Sequence, residues 1–389
     1  MKIIERTITK NILTDLKQKM VFISGPRQVG KTTLVKNILS GQNGVYLNWD
    51  NRKDRRKITE GLWPEEGIVV LDEFHKYRKW KQFIKGEYDQ KREGLSFLIT
   101  GSARLNIYKR GGDSLQGRYH HYRLHPFSVA ELNGDINVPE PFTNLKMDDT
   151  IKETFHVKNL LEYGGFPEPF INADALFSRR WHKERFDKVI HEDIRDISNI
   201  KDISSIELLV EMLPERVGSP LSLNSIREDL EVSHRAVTHW MNLLQQLYVC
   251  FRIHPFKGTL VSSLKKEAKA YMWDWAEVED PGARFENMIA CHLLKLCHGM
   301  QDIEGYDTDL WYLRNRYKNE VDFLVTVKRK PWFGVEVKLS ENRKNHLQYF
   351  KERLNIPYVY FVSMDNQETY KKGDVVYTSA GTFLRAIGI

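Results

Sequence analysis

The segment Gly25-Pro26-Arg27-Gln28-Val29-Gly30-Lys31-Thr32 constrains this chain more than any other. Two glycines separated by four residues, then lysine and threonine, follow the apolar run Met20 to Ser24 and precede a helical pattern from Thr32 to Leu39. A buried strand, a glycine turn and a helix start are thereby written into one short stretch. The glycines let successive backbone N–H groups face an anion, and the helix N-terminus adds the positive end of its dipole. The pattern predicts a phosphate cradle made by Gly25, Pro26, Arg27, Gln28, Val29, Gly30, Lys31, Thr32 and Thr33. In such a cradle Lys31 reaches the terminal phosphates of a nucleoside triphosphate, and the Thr32 hydroxyl coordinates Mg²⁺.

A second apolar run, Ile68 to Leu71, ends in Asp72 and Glu73 about 40 residues after the cradle. A strand that delivers two carboxylates at its C-terminal edge places them where open α/β sheets bind ligands. Asp72 suits Mg²⁺ binding, and Glu73 suits polarising an attacking water. Leu98 to Ser102 forms a third such strand end, where Thr100 or Ser102 could sense the terminal phosphate; a plain strand-ending turn explains it equally well. With Val45 to Asn48, these strands alternate with helical patterns and predict a parallel sheet covered on both faces.

Length and composition set outer limits. A chain of 389 residues exceeds one comfortable core, and 41% hydrophobic with 29% charged residues is ordinary globular usage. No apolar run approaches the roughly 20 residues that span a bilayer, and the N-terminus lacks a signal-peptide core, so a cytoplasmic protein without membrane contact is expected. Cys250, Cys291 and Cys297 have no ligand spacing that would suggest zinc, nor a disulfide framework. The net charge of +7 is concentrated early: residues 1–150 hold 26 basic against 18 acidic residues, notably in Arg52 to Lys57. An anionic partner such as nucleic acid fits that excess, and so does a solvated basic face.

Three parts are expected: a phosphate-binding α/β domain over 1–145, a helical segment over 146–260, and a second α/β domain over 261–389. Within the middle part, Ser222 to Leu230, a short turn and His234 to Leu247 read as helix–turn–helix, and the strand-like Val249 to Ile253 extends this to a winged helix. Ser233, His234, Arg235, Thr238 and His239 take the positions that meet base edges in DNA readers, although Glu228, Asp229 and Glu231 flank the turn. In the last part, Glu286 falls on a helix, Asp322 on a strand, and Glu336 and Lys338 on one face of the next strand. Carboxylates with a lysine in that order can hold Mg²⁺ against a phosphodiester.

The ordered blocks Gly25 to Thr33, Val70 to Glu73, Leu98 to Ser102, Ser114 to Arg118, Leu124 to Ser128, Tyr163 to Glu168, Phe285 to Asn287, Glu320 to Phe323 and Glu336 to Lys338 resemble the archaeal-like branch of prokaryotic AAA-type P-loop ATPases that carry a C-terminal domain of unknown function. The resemblance implies ATP and Mg²⁺ as cofactors and a finger-like role for Arg118, acting within the chain or from a neighbouring subunit. One departure is Lys269 to Asp274, which lacks a glycine common in that family. The order Glu286, Asp322, Glu336, Lys338 looks like the PD-(D/E)xK restriction-endonuclease-like fold. The function expected is a nucleic-acid-associated ATPase, with DNA preferred over RNA. An ATP-regulated nuclease and a nucleotide-dependent signalling or scaffold protein are the alternatives, with a protein partner or a second copy of the chain left open.

Overall fold

The computed structural model describes residues 4–90, 93–101, 115–150, 155–194, 202–257, 263, 266–340, 346–365 and 368–389. The chain divides into two compact units, one of residues 1–125 with 246–248, the other of 126–245 with 249–389.

The first unit is built on five strands: β1 (Met20–Ser24), β2 (Gly44–Asn48), β3 (Gly67–Asp72), β4 (Leu95–Thr100) and β5 (Tyr119–Arg123). They run parallel in the order β2-β3-β4-β1-β5. β1, near the middle, is buried along its whole length, which is why it reads as an unbroken apolar run rather than an alternating one. Helices Thr9–Asp15, Lys31–Ser40, Arg52–Thr59 and Trp80–Asp89 belong to the same unit. Phe22, Leu71, Phe74, Trp80, Phe97 and Ile99 share one core cluster. Because all five strands point the same way, their C-terminal residues come to a common edge: Asn48 lies beside Asp72, and Ser24 beside Arg123.

The basic run Arg52 to Lys57 forms a helix that Asn51 caps through the backbone N–H groups of Lys53 and Asp54. Its five basic side chains are exposed, and only Ile58 of the helix is buried.

The second unit carries helices Val129–Asn133, Phe155–Tyr163, Pro167–Asn172, Ala175–Lys188, Ile203–Met212, Leu223–Asp229 and His234–Gln246, then a mixed sheet. The sheet consists of β6 (Cys250–Pro255), β7 (Lys269–Met272), β8 (Thr308–Arg314), β9 (Glu320–Val327), β10 (Lys330–Lys338), β11 (Tyr358–Ser363), β12 (Tyr370–Lys372) and β13 (Val375–Ser379). Their order is β12-β13-β11-β10-β9-β8-β6-β7. The 22-residue helix Pro281–Asp302 packs on this sheet; Asp280 caps it and Pro281 opens it, the arrangement that favours a firm helix start.

Contacts explain why residues 126–150 fall in the second unit. Residues 126–150 have few regular elements, yet they are tied into the second unit. Glu131 pairs with Lys295 at 2.6 Å, Arg385 with Asp135 at 2.8 Å, and Leu145 N–H donates to the Tyr360 hydroxyl at 3.0 Å. The helix–turn–helix segment likewise continues into β6, which pairs in parallel with β8 of the C-terminal sheet. Residues 126–245 and 249–389 thus form one compact unit.

Candidate functional site

In the first unit the predicted cradle follows β1 directly. Gly25 takes φ 154° and lies against the Leu124 carbonyl, which a Cβ would strike. Gly30 adopts the left-handed region as the residue before helix Lys31–Ser40, a position where glycine carries no side-chain penalty. Lys31 is buried, and its Nζ folds back to donate to the carbonyls of Gly25 at 2.9 Å and Pro26 at 2.6 Å. Pro26 and Val29 are buried, Arg27, Gln28 and Thr32 are half-buried, and Thr33 is exposed.

Asp72, 1% exposed, is the polar centre of this edge. Its carboxylate accepts from Thr32 Oγ1 at 2.9 Å, from the Tyr46 hydroxyl at 2.5 Å and from Thr100 Oγ1. Helix Lys31–Ser40 and strands β2 and β4 thus converge on one carboxylate. Tyr46 was not expected from sequence: its phenol is pushed up by burial and then by its bond to Asp72, so it stays a donor. The next residue, Glu73, sits at φ 55°, where the chain turns out of β3. Burial raises its pKa, while Lys31 and Lys76 pull the other way, which leaves a carboxyl more basic than an ordinary glutamate beside the cradle lysine.

Two further groups shape the loop. Buried Arg6 donates from Nη1 to the Val29 carbonyl at 3.2 Å and from Nη2 to the His125 carbonyl. Ser24, the last residue of β1, bonds His121 Nε2 at 2.8 Å and the Tyr248 hydroxyl at 2.9 Å. Nothing in the spacing of Arg6, His121 or Tyr248 marks them, because each is brought in by the tertiary fold.

Arg118 is not brought to the cradle. Its carbonyl accepts from Met20 N–H at the start of β1, and its guanidinium grips Asp89 through Nε at 2.7 Å and Nη2 at 3.2 Å. Met20 and Ser24 are four residues apart, so Arg118 stands roughly 13 Å from the loop end of the strand at ~3.3 Å per residue. Its observed partners are Met20 and Asp89, not the residues of the loop. Ser102 lies outside the described residues.

In the second unit Glu286, Asp322, Glu336 and Lys338 do come together. Lys338 Nζ lies 3.0 Å from Asp322 and 2.9 Å from Glu336, and the Val337 N–H also donates to Asp322 at 2.8 Å. A second cation, Lys269 on β7, was missed from sequence as a member of this set. Fully buried, its Nζ lies 2.6 Å from Glu320, 3.3 Å from Glu286 and 3.8 Å from Asp322. Tyr271 donates to Glu286 at 2.7 Å, and Arg314 contacts Glu320 at 3.2 Å.

Four carboxylates therefore face two lysines and one arginine, leaving one negative charge in excess. The consequence appears in the acid groups. Burial, then Asp322, pushes Glu336 up to about 8 against the pull of Lys338, and burial with Asp322 raises Glu286. Burial opposes the charge of Lys269, but Glu286, Asp322 and Glu320 outweigh it and hold the ammonium. One oxygen of Glu336 is buried without a hydrogen-bond partner. Oxygen donors with an orphaned carboxylate oxygen fit a hard divalent cation. Lys269 and Lys338 nevertheless stand among the acids, whose ligand atoms are not gathered to single-ion spacing.

Among the described residues, the group that does meet such spacing is His182, Asp274 and Glu277, with ligand atoms within 4.8 Å. There Arg185 lies 3.3 Å from Glu277 and 3.9 Å from Asp274, so a guanidinium already supplies the counter-charge. Gly164 closes over this cluster, and a Cβ there would meet Asp274 at 2.7 Å.

Comparison with known proteins agrees with the first unit and leaves the second without a described activity. Residues 17–133 match the family model of an AAA domain. Residues 154–276 and 281–383 match two domains of unknown function, DUF8612 and DUF4143. The N-terminal part thus resembles an AAA-type P-loop domain in fold, site and family match.

Among relatives, an uncharacterised protein of Methanocaldococcus jannaschii is 22% identical over 367 residues, covering 88% of this chain and 79% of its own. An uncharacterised protein of Haemophilus influenzae is 22% identical, covering 78% of each chain. Of solved structures, the Aeropyrum pernix ORC1 protein in complex with DNA overlaps 75% of this chain and 95% of its own, at 14% identity and a TM-score of 0.36. The Bacillus subtilis DNA clamp loader delta protein overlaps 61% and 88%, at 10% identity and a TM-score of 0.26. Overlaps that weak transfer neither a fold nor a function. No helix among the described residues is long and apolar enough to cross a membrane.

Proposed function

We propose that the chain binds and hydrolyses ATP with Mg²⁺ at the edge of the parallel sheet, and that this AAA-type ATPase works as a nucleic-acid-associated motor or switch. The observation that carries the reading is the bond from Thr32 Oγ1 to Asp72, which links the helix after the cradle to the carboxylate strand. Thr32 and Asp72 offer hard oxygen donors side by side, and they are the residues that would hold Mg²⁺. The ion, when bound, neutralises charge on the phosphates. Lys31 Nζ donates to the loop carbonyls of Gly25 and Pro26, bonds that a terminal phosphate would replace. Glu73, made more basic by burial, accepts a proton from the attacking water or orients it. Tyr46 and Thr100 donate to Asp72 and fix its direction. The role of Arg118, if it is a finger, falls on a neighbouring copy of the chain.

The reading is tested by Mg²⁺-dependent ATP turnover with and without duplex DNA, beside Lys31→Ala. Turnover stimulated by DNA and absent in the variant supports it. Turnover indifferent to DNA moves the protein to the signalling or scaffold class.

A second reading, an ATP-regulated Mg²⁺-dependent nuclease of PD-(D/E)xK type, is favoured by the joint placement of Glu286, Asp322, Glu336 and Lys338. In it Glu286, Asp322 and Glu336 hold the ion, and Lys338 positions the water. Asp322→Ala is then expected to abolish cutting and leave ATP turnover intact; cutting that survives the substitution rules it out.

A further inference from the structure

We propose that a cavity in the second unit, between helices Leu223–Asp229 and His234–Gln246 and strand β6, binds a phosphoryl group of a flexible ligand, with Arg252 as the principal cation. The cavity has a volume of about 420 Å³, within the range of small-molecule sites. Arg252 and His254, two residues apart on β6, share its floor; Asn224, His234, Thr238 and Lys266 are among the groups around it. Glu267, exposed, is the one carboxylate of the lining among the described residues.

Arg252 carries the argument. Its Nε donates to Gln245 Oε1 at 3.0 Å and its Nη2 to Asn242 Oδ1 at 2.8 Å, so two neutral amides fix the guanidinium. No carboxylate pairs with it among the described residues, although it is half-buried. A partly desolvated charge that is oriented but lacks a counter-charge is unfavourable alone and favourable once an anion arrives. His254 reports the same positive environment: burial and then Arg252 lower its pKa, and its Nδ1 is buried without a hydrogen-bond partner. The His254 ring also bonds the Lys266 backbone, which acts against the lowering.

The concavity sets the class of ligand. A flexible ligand can lower a phosphate into a pocket of this size more readily than a stiff duplex can. A single strand and a mononucleotide are such ligands. The two share the phosphate chemistry, and the test separates them.

The test is fluorescence anisotropy of a labelled oligothymidylate on the full chain, at roughly 50 and 200 mM salt, in the Lys31→Ala background so that the cradle in the first unit contributes least. Arg252→Gln, which keeps polar contacts without the charge, is expected to weaken binding about tenfold and to lower the salt slope by about one phosphate contact. Arg252→Lys should restore the slope. Because Arg252 is half-buried, exposed Lys266→Gln serves as the variant that cannot disturb folding, with about a threefold loss expected. AMP that displaces the strand from Arg252 but not from Arg252→Gln identifies a mononucleotide pocket; an Arg252-dependent strand that AMP leaves in place identifies a single-strand site. Strand and AMP binding that are the same in the parent, Arg252→Gln and Lys266→Gln overturn the proposal. None of these readouts depends on ATP turnover, so a failed ATPase reading leaves the result interpretable.

Discussion

Lys269 Nζ and a Glu320 oxygen lie 2.6 Å apart at the base of the C-terminal acid cluster, with the lysine fully buried. Removing one partner of a buried ion pair exposes the others to uncompensated charge, which typically costs 3–5 kcal/mol. Lys269→Met is therefore expected to lower the melting temperature markedly at pH 8, where Glu286, Glu320 and Asp322 would lose their shared cation. Addition of Mn²⁺ should return part of the loss. Differential scanning calorimetry with and without the ion checks both; a variant as stable as the parent would show that the cluster needs no internal cation.

Glu336 gives the molecule a pH dependence with a definite sign. A carboxyl whose folded pKa is raised, here to about 8 from 4.5, favours folding in its protonated form. That contribution is complete below the unfolded pKa and is lost as pH rises through the folded value. Without divalent ions, the melting temperature of the parent should fall between about pH 5 and 8, and Glu336→Gln should flatten this fall while leaving stability at pH 5 unchanged.

Glu73 and Tyr46 separate chemistry from support at the sheet edge where ATP binding is proposed. Glu73→Gln is expected to reduce ATP turnover by about 10²–10⁴ with nucleotide binding retained, the range for loss of a general base. Tyr46→Phe removes one of three side-chain hydroxyl donors to Asp72 and should lower turnover about tenfold, chiefly at limiting Mg²⁺. Steady-state rates over a Mg²⁺ titration distinguish the two.

Arg118→Ala should leave the turnover of dilute, monomeric protein unchanged, since Arg118 is held by Asp89 at the far end of the sheet. If copies of the chain complete each other's sites, the same variant loses the concentration-dependent part of the rate, by as much as 10³-fold. Rates measured across protein concentration decide this.

What the sequence by itself determined is local. The cradle from Gly25 to Thr33, the carboxylates ending Ile68 to Asp72 and the alternation of strand and helix all follow from glycine placement, apolar runs and short spacings, features that a few consecutive residues carry. The helices Leu223–Asp229 and His234–Gln246 were legible for the same reason, as were β9 and β10. Tertiary structure decided the rest. Tyr46 meets Asp72 across 26 residues, Tyr248 meets Ser24 across 224, and Lys269 enters the acid cluster from a separate strand. The unit boundary fell at residue 125 because Glu131, Asp135 and Leu145 find their partners in the last hundred residues of the chain. Arg118 carries the residue type of a finger, but its observed partners, Met20 and Asp89, were not legible from its own segment. Chemical type is a property of one position, whereas the partner that gives it a role depends on chain closure over long separations, and no local pattern encodes that.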